Sequence, residues 1–318
     1  MDGQGLAGRR SYRSPALSAH AGRLAGVLLG ALALLAVPAA AADATTASEV
    51  VEESAAWLAI RIDPARMVNQ HLHAGDNACV PATLLNALRC GPADFQRCAD
   101  ALPGGTDRER IEGIISGAGS MPSLVEAGQP CYSDTIGVRA EDIAPMCARL
   151  LAGASSGAPS GRYFDRVGEE DVRAQVVRTH GLLLASLTAG VPVVLSLRAF
   201  TANRPDESKE ILWNGLGGHA VLLVALPRAV GAGALGFPMR YVDPWTASVN
   251  EAYVRGEQVR GFKAVKGSGS KGFVWLENAF LQIDAPFLQM GTQRLRFYER
   301  SFITLDYGVG RFPETAKP

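Results

Sequence analysis

Two apolar runs in the second half of the chain set the frame for the rest. Val191–Phe200 (VPVVLSLRAF) and Gly217–Leu226 (GGHAVLLVAL) are near-continuous apolar stretches rich in β-branched residues, which predicts buried strands. Ahead of the first run, Glu169–Ala189 places Val172, Val176, Leu183 and Leu187 on one side of a helix, and Gly190 follows at a C′ position. Further strands are predicted at Met239–Trp245, Gly272–Leu276, Leu281–Ile283 and Arg300–Tyr307, and a short one around Leu58–Ile62. The first half reads as helices. After Cys79, residues Ala82, Leu84, Leu85, Ala87 and Leu88 form an apolar face; Pro81 fits a first turn, and Asp76 or Asn77 is the expected N-cap. Asp94–Leu102 and Glu141–Leu151 are helical patterns, and Thr106 with Glu109 spells a capping box for a helix ending near Ser116. Gly117–Gly137, Gly153–Gly161 and Thr201–Gly215 read as loops, and Gly267–Gly272 as a hairpin tip. Helices followed by an antiparallel sheet or half-barrel give an α+β order, with one folded domain over 63–312 and a linker or N-terminal extension over 43–62.

Composition narrows the function classes. The 318 residues are 47% hydrophobic, enough for a sizeable core, and the 31 basic residues balance 31 acidic ones with no basic block. A nucleic-acid or polyanion partner is therefore not expected. Residues 1–42 read as a signal peptide: Arg9, Arg10, Arg13 and Arg23 precede the apolar Leu24–Val37, Pro38 breaks the run, and Ala39–Ala42 offer cleavage sites. An uncleaved membrane anchor is the alternative. Export to a periplasmic or extracellular compartment is an oxidising destination. Five cysteines then leave an odd thiol, and local bridges Cys90–Cys98 and Cys131–Cys147 would leave Cys79 free; other pairings stay open.

Three residues carry candidate chemistry. Cys79 opens a helix, where unpaired N–H groups favour thiolate. His219 opens an apolar strand, and Asp243 closes the next predicted one. If those strands pair as antiparallel neighbours, imidazole and carboxylate meet at one end of the sheet and the helix start needs only to dock there. A thiolate that attacks an acyl carbon, an imidazole that keeps it ionised and protonates the leaving group, and a carboxylate that orients the imidazole are the parts of a thiol hydrolase. His180, mid-helix, reads as packing. His71 and His73 with Asp76 and Cys79 lack a second cluster to complete a metal-ligand set, so no metal is expected.

These islands, in this order, resemble the papain-fold cysteine peptidases of the C39-like, bacteriocin-processing group and their secreted relatives. The resemblance rests on Cys79 with Pro81-Ala82 and the apolar helix, on LTAGVPVVL (Leu187–Leu195), on Gly218-His219 with Ala220–Val224, and on Val242-Asp243-Pro244-Trp245. It implies a papain-like fold, Cys79 as nucleophile, His219 as base, Asp243 as orienter, no cofactor, and a peptide or protein substrate. The group's oxyanion Gln lies six residues before the Cys, where this chain has His73; Gln70 and Asn77 are the candidate side-chain donors, and Val80 replaces the usual Gly. Amidase-like or transglutaminase-like acyl transfer uses the same triad, and a module that keeps the fold without turnover is the reading from another class.

Overall fold

A computed structural model describes residues 50–54, 56–75, 77–202, 212–257, 262–265, 273–276, 280–288, 290 and 301–314. All belong to one compact unit, Ala44–Pro318. The segment read as a signal peptide, Asp76 and the Gly267–Gly272 run lie outside the described residues. Strands β1 (Val50–Ser54) and β2 (Trp57–Ile60) lead to a one-turn helix α1 (Gln70–His73) and to α2 (Cys79–Cys90), α3 (Ala93–Asp100) and α4 (Asp107–Ser116). A small hairpin, β3 (Tyr132–Ser133) and β4 (Gly137–Val138), precedes α5 (Ala140–Leu150), β5 (Ser160–Tyr163) and α6 (Val172–Thr188). The rest is strand: β6 (Val193–Ala202), β7 (Leu212–Pro227), β8 (Gly236–Asp243), β9 (Ser248–Glu257), β10 (Phe262–Val265), β11 (Phe273–Leu276), β12 (Phe280–Asp284) and β13 (Ser301–Gly310).

The expected α+β class holds, and the sheet goes further than a half-barrel. The two apolar runs pair antiparallel as β6 and β7, from Val193↔Leu223 to Ala202↔Trp213. β7 also pairs with β8, β8 with β9, β9 with β12, β12 with β13, and β13 with β6. The ring closes into a six-stranded antiparallel barrel, which removes the free edges of an open sheet. β9 was not expected from the sequence, because SVNEAYVRGE carries few apolar residues. In the fold, only Ala252 and Val254 of its central part face inward, while Glu251 and Tyr253 are exposed. β6 and β7 likewise extend into the stretch read as a loop, to Ala202 and from Leu212.

α2 is the buried axis of the helical part: every residue from Val80 to Cys90 is buried. Its polar side chains therefore need partners inside the protein. Thr83 Oγ1 donates to the Ala220 carbonyl on β7 at 3.1 Å, and Asn86 accepts from Val68 N–H at 2.7 Å. Arg89 donates to the Arg66 carbonyl at 2.7 Å and pairs with Asp107 at 2.5 Å. α4 starts in the capping box read from Thr106 and Glu109. α6 ends at Gly190, whose φ of +71° lets its N–H reach Leu187 O (2.9 Å) and the Val191 N–H reach Ser186 O (3.0 Å).

No disulfide joins the five cysteines in the structure, neither the expected Cys90–Cys98 nor Cys131–Cys147. Cys90 turns into the core, with its sulfur 3.7 Å from Met67 Sδ, while Cys98 sits on the separate helix α3. Cys131 donates to the Pro122 carbonyl at 3.5 Å, and Cys147 is buried on α5.

Candidate active site

The β7–β8 register sets the site. Leu222 faces Val242 and Leu223 faces Tyr241, so Asp243 comes level with Val221. His219 lies two residues along on the same face, a diagonal neighbour within side-chain reach. His219 Nε2 meets Asp243 Oδ1 at 2.8 Å, with exposures of 3% and 0% for the two side chains. The same carboxylate oxygen accepts the Trp245 backbone N–H at 2.9 Å. Two donors thus fix Asp243, and the tight Asp-Pro-Trp corner supplies one of them.

With Nε2 turned to Asp243, the other ring nitrogen of His219 faces the sulfur, and Cys79 is hydrogen-bonded to this imidazole. Helix α2 delivers the thiol. Cys79 is its first residue, Ala78 is the N-cap, and no side chain caps the end. The expected Asn77 cap is corrected, because the Asn77 amide is drawn instead to the Asp134 carbonyl of the β3–β4 hairpin at 2.5 Å. An uncapped start leaves N–H groups to serve the sulfur, and Val80 N–H and Ala220 N–H both point at it. Thr83, one turn below Cys79 on the same helix face, ties α2 to β7 at the residue after His219.

The electrostatics follow. Burial alone pushes the Cys79 thiol up, but the hydrogen bond and charge of His219, with the Ala220 and Val80 amides, outweigh it and leave the thiol below the ordinary cysteine value. Burial alone pushes His219 down; Asp243 and Cys79 together reverse this and raise it to about 10. Both shifts favour the charged thiolate–imidazolium pair over the neutral one. The other four thiols move the opposite way: burial raises Cys98, and carries Cys90 to about 12, Cys131 to about 11 and Cys147 to about 12.

The oxyanion candidates separate. Gln70 is fully buried, its backbone N–H donates to Pro244 O at 2.7 Å, and its side-chain amide donates to Gly75 O at 3.1 Å. The α1 turn is thereby docked on the Asp243-Pro244-Trp245 corner, and the His71 ring packs at a tilt against Trp245 with ring centroids 4.9 Å apart. Asn77 donates through its amide to the Asp134 carbonyl at 2.5 Å. His180 lies outside the site, buried against Pro227 O at 2.8 Å.

Sequence reading missed Thr83 and the β3–β4 hairpin that walls the site. Thr83 has a signal in its i+4 spacing from Cys79. The hairpin has one in Gly137, whose φ of +72° fits glycine and where a Cβ would sit 3.0 Å from Asn77 O. A scan against protein-family models gives no match for this chain, and a search of curated proteins gives none either.

Proposed function

We propose that this protein is a papain-like thiol hydrolase, an exported cysteine peptidase that cleaves peptide or isopeptide bonds. The observation that carries the reading is the opposed ionisation of two touching groups: Cys79 is lowered and His219 is raised, with Asp243 bonded behind the imidazole. A structural cysteine gains nothing from such an arrangement, whereas a nucleophile requires it.

The chemistry closes as follows. Cys79 Sγ attacks the substrate carbonyl carbon, and the carbonyl electrons move onto oxygen, next to the N–H groups of the helix start. Collapse breaks the C–N bond, and the departing amine takes the proton from the His219 imidazolium. Water then gives a proton to His219 and attacks the thioester. The acid leaves, and the thiolate–imidazolium pair is restored. Asp243 holds one imidazole orientation throughout and stabilises its positive charge. An amine in place of water would give acyl transfer on the same thioester.

The test is alkylation of the folded protein by iodoacetamide at mildly acidic pH, read by peptide mass spectrometry. Cys79 is expected to label stoichiometrically while the four raised thiols do not. His219→Ala should slow Cys79 labelling by roughly 10²-fold or more. Labelling elsewhere, or none, overturns the proposal. A second reading, a papain-like binding module without turnover, draws on one observation: the side-chain amides of Gln70 and Asn77 both donate to backbone carbonyls. A thiol that alkylates readily while Gln70→Ala changes no turnover would favour it.

A further inference from the structure

We infer that Asn86 and the main chain of Gln70 position Asp243 for His219, by holding a peptide group that donates to the carboxylate. The inference rests on the hydrolase reading above and adds two positioning residues to it. The Pro244–Trp245 peptide is engaged at both ends. Its N–H, from Trp245, donates to Asp243 Oδ1 at 2.9 Å, the oxygen that meets His219 Nε2 at 2.8 Å. Its carbonyl, from Pro244, accepts the Gln70 N–H at 2.7 Å. One amide thus takes a hydrogen bond on one edge and gives one from the other, and each bond of such a chain polarises the next. The amide is also a single plane, so turning it away from Gln70 swings the Trp245 N–H off the carboxylate.

The corner does not fix this plane by itself. Its own turn bonds run from the Thr246 and Ala247 N–H groups to Asp243 O, at 3.2 and 2.8 Å, and leave Pro244 O to Gln70. Ala247 closes the turn with a φ of +57°, in the left-handed region where a non-glycine residue is strained. Strained backbone persists where its surroundings over-determine it, and the α1 turn supplies such a contact at Pro244.

Asn86 holds the segment from which Gln70 reaches out. Cys79, Thr83 and Asn86 recur at i, i+4 and i+7, so they share one face of α2. Thr83 ties that face to Ala220, beside His219. Asn86 ties it to Val68: Oδ1 accepts the Val68 N–H at 2.7 Å, and Nδ2 donates to the Val68 carbonyl at 3.4 Å. Both residues are fully buried. A buried amide costs stability unless its donor and acceptor are both used, and here both are used on one residue of the chain that leads to Gln70. Arg89, one turn further on, holds Arg66 O at 2.7 Å. Residues 66–70 therefore run as a strap from α2 to the Asp243 corner. One helix presents Cys79 at its start, touches the His219 strand through Thr83, and sets the Asp243 corner through Asn86.

The experiment reads the pH profile of Cys79 alkylation by iodoacetamide on the full chain, by peptide mass spectrometry. Gln70→Pro deletes the N–H that reaches Pro244. Proline fits the first position of α1, and Asn69 before it is extended, with ψ of 105°. Gln70→Ala loses the same side chain but keeps the N–H, so the pair of variants isolates the bond. Relative to Gln70→Ala, Gln70→Pro should slow alkylation at mildly acidic pH roughly 2- to 10-fold, the range for one lost hydrogen bond, and bring the alkaline limb down. Asn86→Leu, close in volume and without the amide, should move the limb in the same direction and leaves the α1 and corner sequences untouched. In an Asp243→Ala background the Gln70→Pro effect should vanish, because the two changes act along one route. Unmoved limbs in Gln70→Pro and Asn86→Leu, even with lowered urea midpoints, would reduce the strap to a structural fastening and overturn the positioning role. Equal slowing by Gln70→Pro with and without Asp243 overturns it too. Both results leave the hydrolase reading intact. Failure of Cys79 to label in the unaltered protein overturns both.

Discussion

Two histidines lean on the same strand and ionise in opposite senses. His180 projects from α6 onto the carbonyl of Pro227, the last residue of β7, and meets the Phe237 ring edge-on with centroids 5.1 Å apart. His219 lies within β7 itself. Their exposures, 3% and 4%, are nearly equal. At His180 burial prevails over the single carbonyl bond and lowers the pKa, so the ring is a neutral packing element. At His219 the burial penalty is overcome by a carboxylate on one side and a thiol on the other. Burial therefore sets the sign of a histidine's shift only where no counter-charge faces it, and the counter-charges mark the candidate site.

The contrast breaks most sharply at Asp243. Asp243→Asn keeps an acceptor for the imidazole but removes its charge, so His219 should fall from about 10 toward the behaviour of His180. Thiol and imidazole titrate as one coupled pair, so both limbs of the profile should move. The alkaline limb of Cys79 alkylation is expected to shift down and the acid limb up, and Asp243→Ala should cost roughly 10²- to 10⁴-fold in turnover. An alkaline limb that stays in place in Asp243→Asn would show that the carboxylate does not hold the imidazolium.

The next effect lies on the other histidine and is read in stability. The folded pKa of His180 is below its unfolded value of 6.5, so its contribution is present above that pH and is lost as pH falls through the folded pKa. The folded pKa of His219 is raised, so its contribution is present below 6.5 and is lost as pH rises through about 10. Urea midpoints should therefore fall on both sides of neutrality for different reasons. His180→Gln, neutral at all pH and still a donor, should flatten the acid side only. His180→Ala should cost roughly 1–3 kcal/mol by leaving Pro227 O unsatisfied. An acid slope unchanged in His180→Gln would assign that slope to other groups.

What the sequence revealed and what it hid divide along the same line. The Cys79 helix, the Gly-His strand and the Asp-Pro corner are local patterns, and each was legible because periodicity, caps and turn residues act over a few positions. The β7–β8 pairing that joins His219 to Asp243 was stated only as a condition, since register between strands is a long-range property. β9 was invisible because an alternating strand with two small apolar positions resembles a polar loop. Cysteine pairing is equally hidden, because spacing along the chain says nothing of direction: Cys90 meets Met67 in the core. Asn77 fits a cap or an oxyanion donor by type and position, while the partner of its amide, Asp134, lies 57 residues away.

The smallest predicted effect tests how tightly Cys79 is coupled to one histidine and not the other. Thr83 Oγ1 donates to Ala220 O in a fully buried setting, one turn below Cys79 and one residue beyond His219. Thr83→Val keeps the shape, removes the donor, and should cost about 1 kcal/mol in stability. If the bond only fastens α2 to the barrel, Cys79 reactivity will survive that loss. If it also sets the sulfur against the imidazole and the Ala220 N–H, alkylation at mildly acidic pH should slow several-fold while the acid stability slope from His180 remains unchanged. The second outcome is expected, because the carbonyl that Thr83 holds belongs to the same residue whose N–H faces the sulfur. A shift of the Ala220 backbone about its Cα moves a group that lowers the thiol. No such route leads from Thr83 to Pro227, eight residues from His219 along β7.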